Sequence, residues 1–213
     1  VPPRYELRRQ FDEQLAEMDA KVIRLFALVT EAVGAATEAL LTGDRATAQA
    51  TADQDAVVDQ LEHDIELLAQ RELVRQSPMA GDMRYLLSVI RVVPELERSG
   101  DLAEHIAQRA MAGLATRVSP NVRGILQEMG TTCVTMWQAA ADAWAERDPD
   151  AAESIDATDD RIDTLHDQLI AELGEGDLEL ADALQTTLVG RFYERLGDHA
   201  VHISERIGYL AGA

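Results

Sequence analysis

Glu97-Arg98-Ser99-Gly100-Asp101-Leu102-Ala103-Glu104-His105-Ile106 and Glu194-Arg195-Leu196-Gly197-Asp198-His199-Ala200-Val201-His202-Ile203 are two versions of one segment, with Glu, Arg, Gly, Asp, Ala, His and Ile recurring in register. Recurrence at a fixed spacing marks an internal duplication. What recurs is chemistry rather than core pattern. Residues four apart on a helix are neighbours on one face, so each copy stacks a Glu, an Asp and a His along one stripe. Carboxylates and imidazole so stacked are potential ligands for a hard or borderline cation.

Working outward, the duplication extends over most of the chain. Val22, Leu25, Val29, Val33, Ala36 and Leu40 have helical spacing and superpose on Leu126, Met129, Cys133, Trp137, Ala140 and Trp144 at a constant offset of 104 residues. The next stretch keeps that offset, matching Asp55, Asp59 and Leu61 to Asp159, Asp163 and Leu165. The two opening segments match at 97, so the second copy lacks seven residues near its second connection. A missing heptad leaves the buried face pointing inward.

Turn and cap residues divide each copy into three. Gly43-Asp44 reads as a stop and a new N-cap, and Ser77-Pro78 and Asp148-Pro149 as caps before Pro at the first helical position. Ser119-Pro120-Asn121 breaks the chain near its middle, and Gly174-Glu175-Gly176-Asp177 ends one helix and caps the next. The spacing predicts helices over 8–42, 45–75, 79–114, 121–147, 149–173 and 177–211. The expected fold is all-α: two tandem, pseudo-symmetric three-helix bundles, residues 1–117 and 118–213. Pro94 inside the third helix is expected to kink it.

The formal net charge is −20. A phosphate backbone would be repelled, which argues against nucleic acid as a partner. The one cysteine, Cys133, allows no internal disulfide and reads as a core residue. No apolar run reads as a bilayer span and Val1-Pro2-Pro3-Arg4 is no signal peptide, so a cytoplasmic protein without direct membrane insertion is expected.

Four acidic i, i+4 pairs occupy repeat-equivalent positions: Asp55 with Asp59, Glu97 with Asp101, Asp159 with Asp163, and Glu194 with Asp198. Each such pair costs an isolated helix roughly 0.2–0.5 kcal/mol, which a bound cation would offset. Acidic pairs also arise by accident in so acidic a chain; Glu13 with Glu17 and Glu62 with Glu66 lack a repeat partner. Recurrence in both halves separates the four from these. All five histidines lie within four residues of the second carboxylate of a pair, and His63, His105 and His202 extend three of the ladders as added ligands or supports to ligands. Gly100 and Gly197, between the acids, fit close approach of a neighbouring helix. That approach would bring the neighbour's acidic stripe into reach.

The pattern Glu-Arg-x-Gly-Asp-x-Ala-x-x-Ile in the third helix of each half, with Asp-x-x-x-Asp in the second, resembles the PhoU family, accessory regulators of bacterial phosphate-specific transport. Gly81-Asp82-Met83-Arg84 after Ser77-Pro78, and Gly190-Arg191-Phe192-Tyr193-Glu194-Arg195, extend the resemblance along the chain. The resemblance implies multinuclear metal clusters on the eight carboxylates named above. It also implies phosphate signalling between the phosphate ABC transporter and a sensor histidine kinase, holding the phosphate regulon off when phosphate is plentiful. A homodimer is a further expected assembly. His105 and His202 stand where the family more often has Asn or Asp. An added imidazole shifts the expected divalent or trivalent ions toward Fe, Zn or Mn.

Two other readings remain open. A ferritin or di-iron type metalloenzyme would use Glu-x-x-His on two helices; the nearest match, Asp163-Thr164-Leu165-His166, is not duplicated. A purely structural scaffold would leave the acidic faces solvated. Ser99 has no nucleophile elbow and Cys133 no histidine close in sequence, so no catalytic site is expected.

Overall fold

The computed structural model describes residues 4–75 and 78–212. Among the described residues the chain forms six α-helices and no strand: α1 Arg4–Thr42, α2 Arg45–Arg75, α3 Ala80–Met111, α4 Pro120–Glu146, α5 Ala151–Glu175 and α6 Leu180–Ala211, with one 3-10 turn, Leu114–Thr116, before α4. Asp44 starts α2 as expected, its carboxylate accepting from the backbone N–H of Ala46 (2.9 Å) and Thr47 (3.2 Å), after Gly43 turns the chain at φ +75°. Ser119 is a true cap, its Oγ accepting from Val122 N–H at 3.1 Å with Pro120 in the first turn. That junction opens a helix rather than merely breaking the chain.

Two of the remaining expected caps move. The Ser77 cap lies outside the described residues, and α3 starts at Ala80 with Asp82 accepting from Met79 N–H at 3.4 Å. The residue before α5 is Asp150, not Asp148, because Arg147 adopts φ 57° and Asp148 spends its carboxylate on Asp150 N–H at 3.0 Å. Asp177 does not cap α6, which begins three residues later, with Glu179 O accepting from Ala183 N–H at 2.9 Å. Near Pro94, α3 stays continuous.

Each set of three consecutive helices packs mutually, and the two sets join through α1 on α4 and α3 on α6. These four helices therefore form a central ring, with α2 laid against α1 and α3 and α5 against α4 and α6. His105 faces Phe192 and Ser99 faces His199, so α3 and α6 run antiparallel about a pseudo-two-fold near Gly100 and Gly197. The buried apolar residues of all six helices make one continuous cluster, in which Phe26 of α1 meets Trp137 and Trp144 of α4 at ring-centroid distances of 6.4 and 5.9 Å. Polar bonds also cross the join. Asp19 of α1 accepts from Trp144 Nε1 at 3.0 Å and Arg147 Nη2 at 2.6 Å, and Thr37 of α1 bonds the Tyr193 hydroxyl of α6 at 2.9 Å. The buried Thr37–Tyr193 bond and the half-buried Asp19 network help fix which helix faces meet.

The segment Arg8–Thr42 of α1 carries an 18-residue window of mean hydropathy 1.4, long and apolar enough by composition to cross a bilayer. This corrects the expectation that no such run exists. Half of that window is buried inside the protein, so its apolarity is accounted for by the core it builds.

Candidate metal centre

The two acidic stripes of the first half meet across the α2–α3 seam. Close packing is the cause: Gly100 of α3 leaves room for Val58 and Asp55 of α2, and a Cβ there would stand 3.1 Å from Val58 Cγ1 and 3.7 Å from Asp55 Oδ1. One carboxylate oxygen from each of Asp55, Asp59 and Asp101 lies within 4.8 Å of the others, a spacing that one cation could bridge. Glu97 sits one turn along α3. Its carboxyl is pushed up to about 7, first by burial and then by the charges of Asp101, Glu62 and Asp59. Asp55 rises to about 6 from burial, Asp59, Asp101 and Glu104, and Asp101 is raised by burial against a lowering pull from His105. Carboxyls gathered this way resist shedding their protons, and a cation in their midst would reverse that.

The second half repeats the arrangement across the α5–α6 seam. Asp159 is pushed up to about 6 by burial and then by Asp163 and Asp198. A Cβ on Gly197 would fall 2.1 Å from Asp159 Oδ1, so this carboxylate occupies the space that the missing side chain vacates. Asp55 Oδ1 and Asp159 Oδ1, repeat mates, are both buried without a hydrogen-bond partner. A buried carboxylate oxygen left unpaired is costly, and the same vacancy of partners in both copies fits a cation held at each seam. The residues present therefore suit the metal the sequence pattern implies.

The two seams are not copies in detail. Glu62 and Glu104 join the first seam, yet sequence reasoning set Glu62 aside as an accidental pair with Glu66. The available signal was position: each follows the first acid of its stripe by seven residues, two helical turns on the same face. Their repeat mates are His166 and Val201, so the second seam exchanges one carboxylate for an imidazole and loses another. His166 lies against Gly190, and its Nε2 is buried without a partner. Glu194 is drawn into an ion pair with Arg191, which replaces Pro94 of the first half.

Of the histidines expected to extend the ladders, His105 and His202 turn their rings toward the other bundle, although His105 still pulls on Asp101, and His63 on α2 shares the exposure of Asp59. His105 stacks on Phe192 of α6 at 5.4 Å between ring centroids, and His202 lines a groove between α3 and α6. Eight residues along a helix amount to an 80° turn, which carries His105 and His202 from the seam toward the opposite bundle. His199 is buried there, its Nδ1 2.9 Å from Ser99 Oγ; because Ser99 donates to Glu95 O at 2.7 Å, the imidazole N–H is the donor to Ser99. Burial holds its pKa below the usual imidazole value.

The model of the PhoU domain matches twice, over residues 22–110 and 126–207. The chain is 33% identical over 208 residues to the phosphate-specific transport system accessory protein PhoU homolog 1 of Mycobacterium leprae, covering 96% of this chain and 94% of that one. Its structure is similar to a crystal structure of PhoU from Pseudomonas aeruginosa, with TM-score 0.88, 31% identity, and coverage of 94% and 98%. It is also similar to that of the phosphate transport system regulatory protein PhoU from Streptococcus pneumoniae, with TM-score 0.83, 26% identity, and coverage of 94% and 96%.

Proposed function

The chain belongs to the PhoU family, and from that premise we propose that it is a regulatory accessory protein of phosphate uptake, a metal-binding adaptor between the phosphate ABC transporter and a sensor histidine kinase on the cytoplasmic side. In this reading it represses the phosphate regulon when phosphate is plentiful and catalyses no reaction. The observation that carries the metal part is the α2–α3 seam, where three carboxylate oxygens from two helices lie within 4.8 Å and Asp55 Oδ1 is buried unpaired.

Asp55, Asp59, Glu97 and Asp101 would hold metal at the first seam, with Glu62 and Glu104 alongside; Asp159, Asp163, Asp198 and Glu194 would do so at the second. A bound cation supplies charge neutralisation and a cross-link between the two helices of a seam. The carboxylates themselves set its orientation by their anchoring on rigid helices. An all-oxygen donor set at the first seam suits hard ions, manganese or ferric iron among those expected and magnesium or calcium beside them, and His166 makes zinc a better match at the second. By linkage, a cation held only by the folded chain stabilises it in proportion to occupancy.

The test is elemental analysis of protein purified without a metal-binding tag, as wild type, Asp59→Ala/Asp101→Ala and Asp163→Ala/Asp198→Ala, paired with a phosphate-starvation reporter in cells lacking the native protein. Metal in the wild type that falls in each double variant, together with a reporter that the wild type silences and the variants do not, is the expected result. Metal-free wild type that still silences the reporter overturns the metal-dependent adaptor and leaves the regulatory role.

A further inference from the structure

The pseudo-two-fold relating α3 to α6 gives the seam between them two equivalent ends, and they are finished differently. At one end His105 and Arg109 of α3 face Phe192 of α6, which covers both: its ring stacks on the imidazole at 5.4 Å and takes the guanidinium at 5.1 Å from its centroid. At the other end the repeat mates His202 and Arg206 recur on α6, but the residue facing them at the position of Phe192 is Glu95. The mate of Leu188 is Arg91. Replacing a ring and a leucine by these side chains leaves an open groove of about 460 Å³, lined by Arg91, Glu95, Arg98, His202, Glu205 and Arg206 among others.

Arg91, Arg98 and Arg206 outnumber Glu95 and Glu205 in this groove by one charge, and the Arg206 guanidinium also lies over the ring of Tyr209 at 5.7 Å from its centroid. Arg98 is paired with Glu95 at 2.6 Å. Among the described residues, no carboxylate lies within ion-pair distance of Arg91 or Arg206, in a chain with about twice as many acids as bases. Guanidinium groups are donors only, and their forked N–H geometry matches a tetrahedral oxyanion two bonds at a time. The distant negative charge of the molecule is screened beyond about 8 Å at physiological ionic strength, so the contacting guanidiniums dominate at the groove.

We propose that the open groove between α3 and α6 binds a phosphoryl dianion through Arg91 and Arg206, with His202 beside them. Free phosphate and a phosphomonoester present the same dianion. The volume exceeds what a bare phosphate fills, and the ring of Phe192 at the equivalent end shows that a flat organic group packs against the His and Arg pair. The site is separate from the acidic seams and does not depend on the metal they would hold.

The experiment is calorimetric titration of the full chain, before and after chelator treatment, with inorganic phosphate and with phenyl phosphate at physiological ionic strength. The variants are Arg91→Leu, which restores the residue of the covered end, and Arg206→Gln; Arg91 is exposed, so its replacement does not threaten folding. Saturable binding that survives the chelator and weakens about tenfold in each variant, the worth of one charge-assisted hydrogen bond, is expected. Equal affinity for the two probes assigns free phosphate as the ligand, and tighter phenyl phosphate assigns a monoester. No binding to the wild type, binding indifferent to both arginines, or binding abolished by the chelator overturns the proposal.

Discussion

Gly197 shows how one residue sets the chemistry of another. An added Cβ would displace Asp159 Oδ1, the end of a short side chain able to rotate away, while gaining about 1 kcal/mol of helix propensity. Gly197→Ala should therefore leave the stability of metal-free protein within about 1 kcal/mol of wild type yet lower metal retention at the second seam, read by urea melts and metal analysis of the same samples. Gly130 differs, because its Cβ would meet Thr37 Cγ2 at 2.3 Å and Thr37 Cβ at 3.0 Å, and Thr37 is held by Val33 O and the Tyr193 hydroxyl. Gly130→Ala should cost about 1–3 kcal/mol by overpacking, measured by the same melts. The seam carboxyls add a pH dependence. With pKa raised to about 6 for Asp55 and Asp159 and about 7 for Glu97, the metal-free folded chain keeps protons that the unfolded chain releases above pH about 4. The native state binding more protons means stability that is full at low pH and lost as pH rises through 6 to 7. The melting temperature of chelator-treated protein should fall between pH about 4 and 7, and the fall should shrink in Glu97→Gln; an equal fall in that variant would deny the group this role.

At the scale of elements, α2 and α5 differ from the other four helices. Each packs on two neighbours only, and each lays an acidic stripe against the next helix. Like charge across a seam works against the apolar face that holds it, so these helices should be the first to open locally. Hydrogen exchange of metal-free protein should be faster in α2 and α5 than in α1, α3, α4 and α6, and added metal should slow it most in those two. Uniform protection across the six helices would mean that the seams carry no strain of charge. The number of helices and the core positions of α1 and α4 were legible because apolar spacing at 3.6 residues survives in both repeats. Starts of α5 and α6 were not, since several neighbouring Asp and Glu residues compete as caps and the backbone after α4 turns at Arg147 rather than at a glycine.

Across the whole molecule, the two repeats share one core. Phe26 of the first repeat packs on Trp137 and Trp144 of the second, and Asp19 bonds Trp144 and Arg147. Removal of such a ring costs about 3–5 kcal/mol. Phe26→Ala should destabilise both repeats together. Both tryptophans lie in α4, so fluorescence reports the second repeat while circular dichroism reports all six helices. Coincident transitions by the two probes, shifted equally in the variant, are expected; separate transitions would show two cores that melt on their own.

The sequence by itself determined the helical class, the duplication, the four acidic pairs and the need for glycine between two of them, because all of these are local or periodic and repeat at a fixed offset. Only the tertiary structure decided which acidic pairs face one another, that Glu62, Glu104 and His166 lie along the same seams, and that His105 and His202 turn toward the other bundle. Those outcomes depend on how α2 lies on α3, α5 on α6 and α3 on α6, and helix docking is set by side-chain packing between segments far apart in the chain. The unequal ends of the α3–α6 seam follow from the same cause: Phe192 and Glu95 are ordinary helix residues in sequence, and their difference acquires meaning only when each is set against a histidine and an arginine of the other repeat.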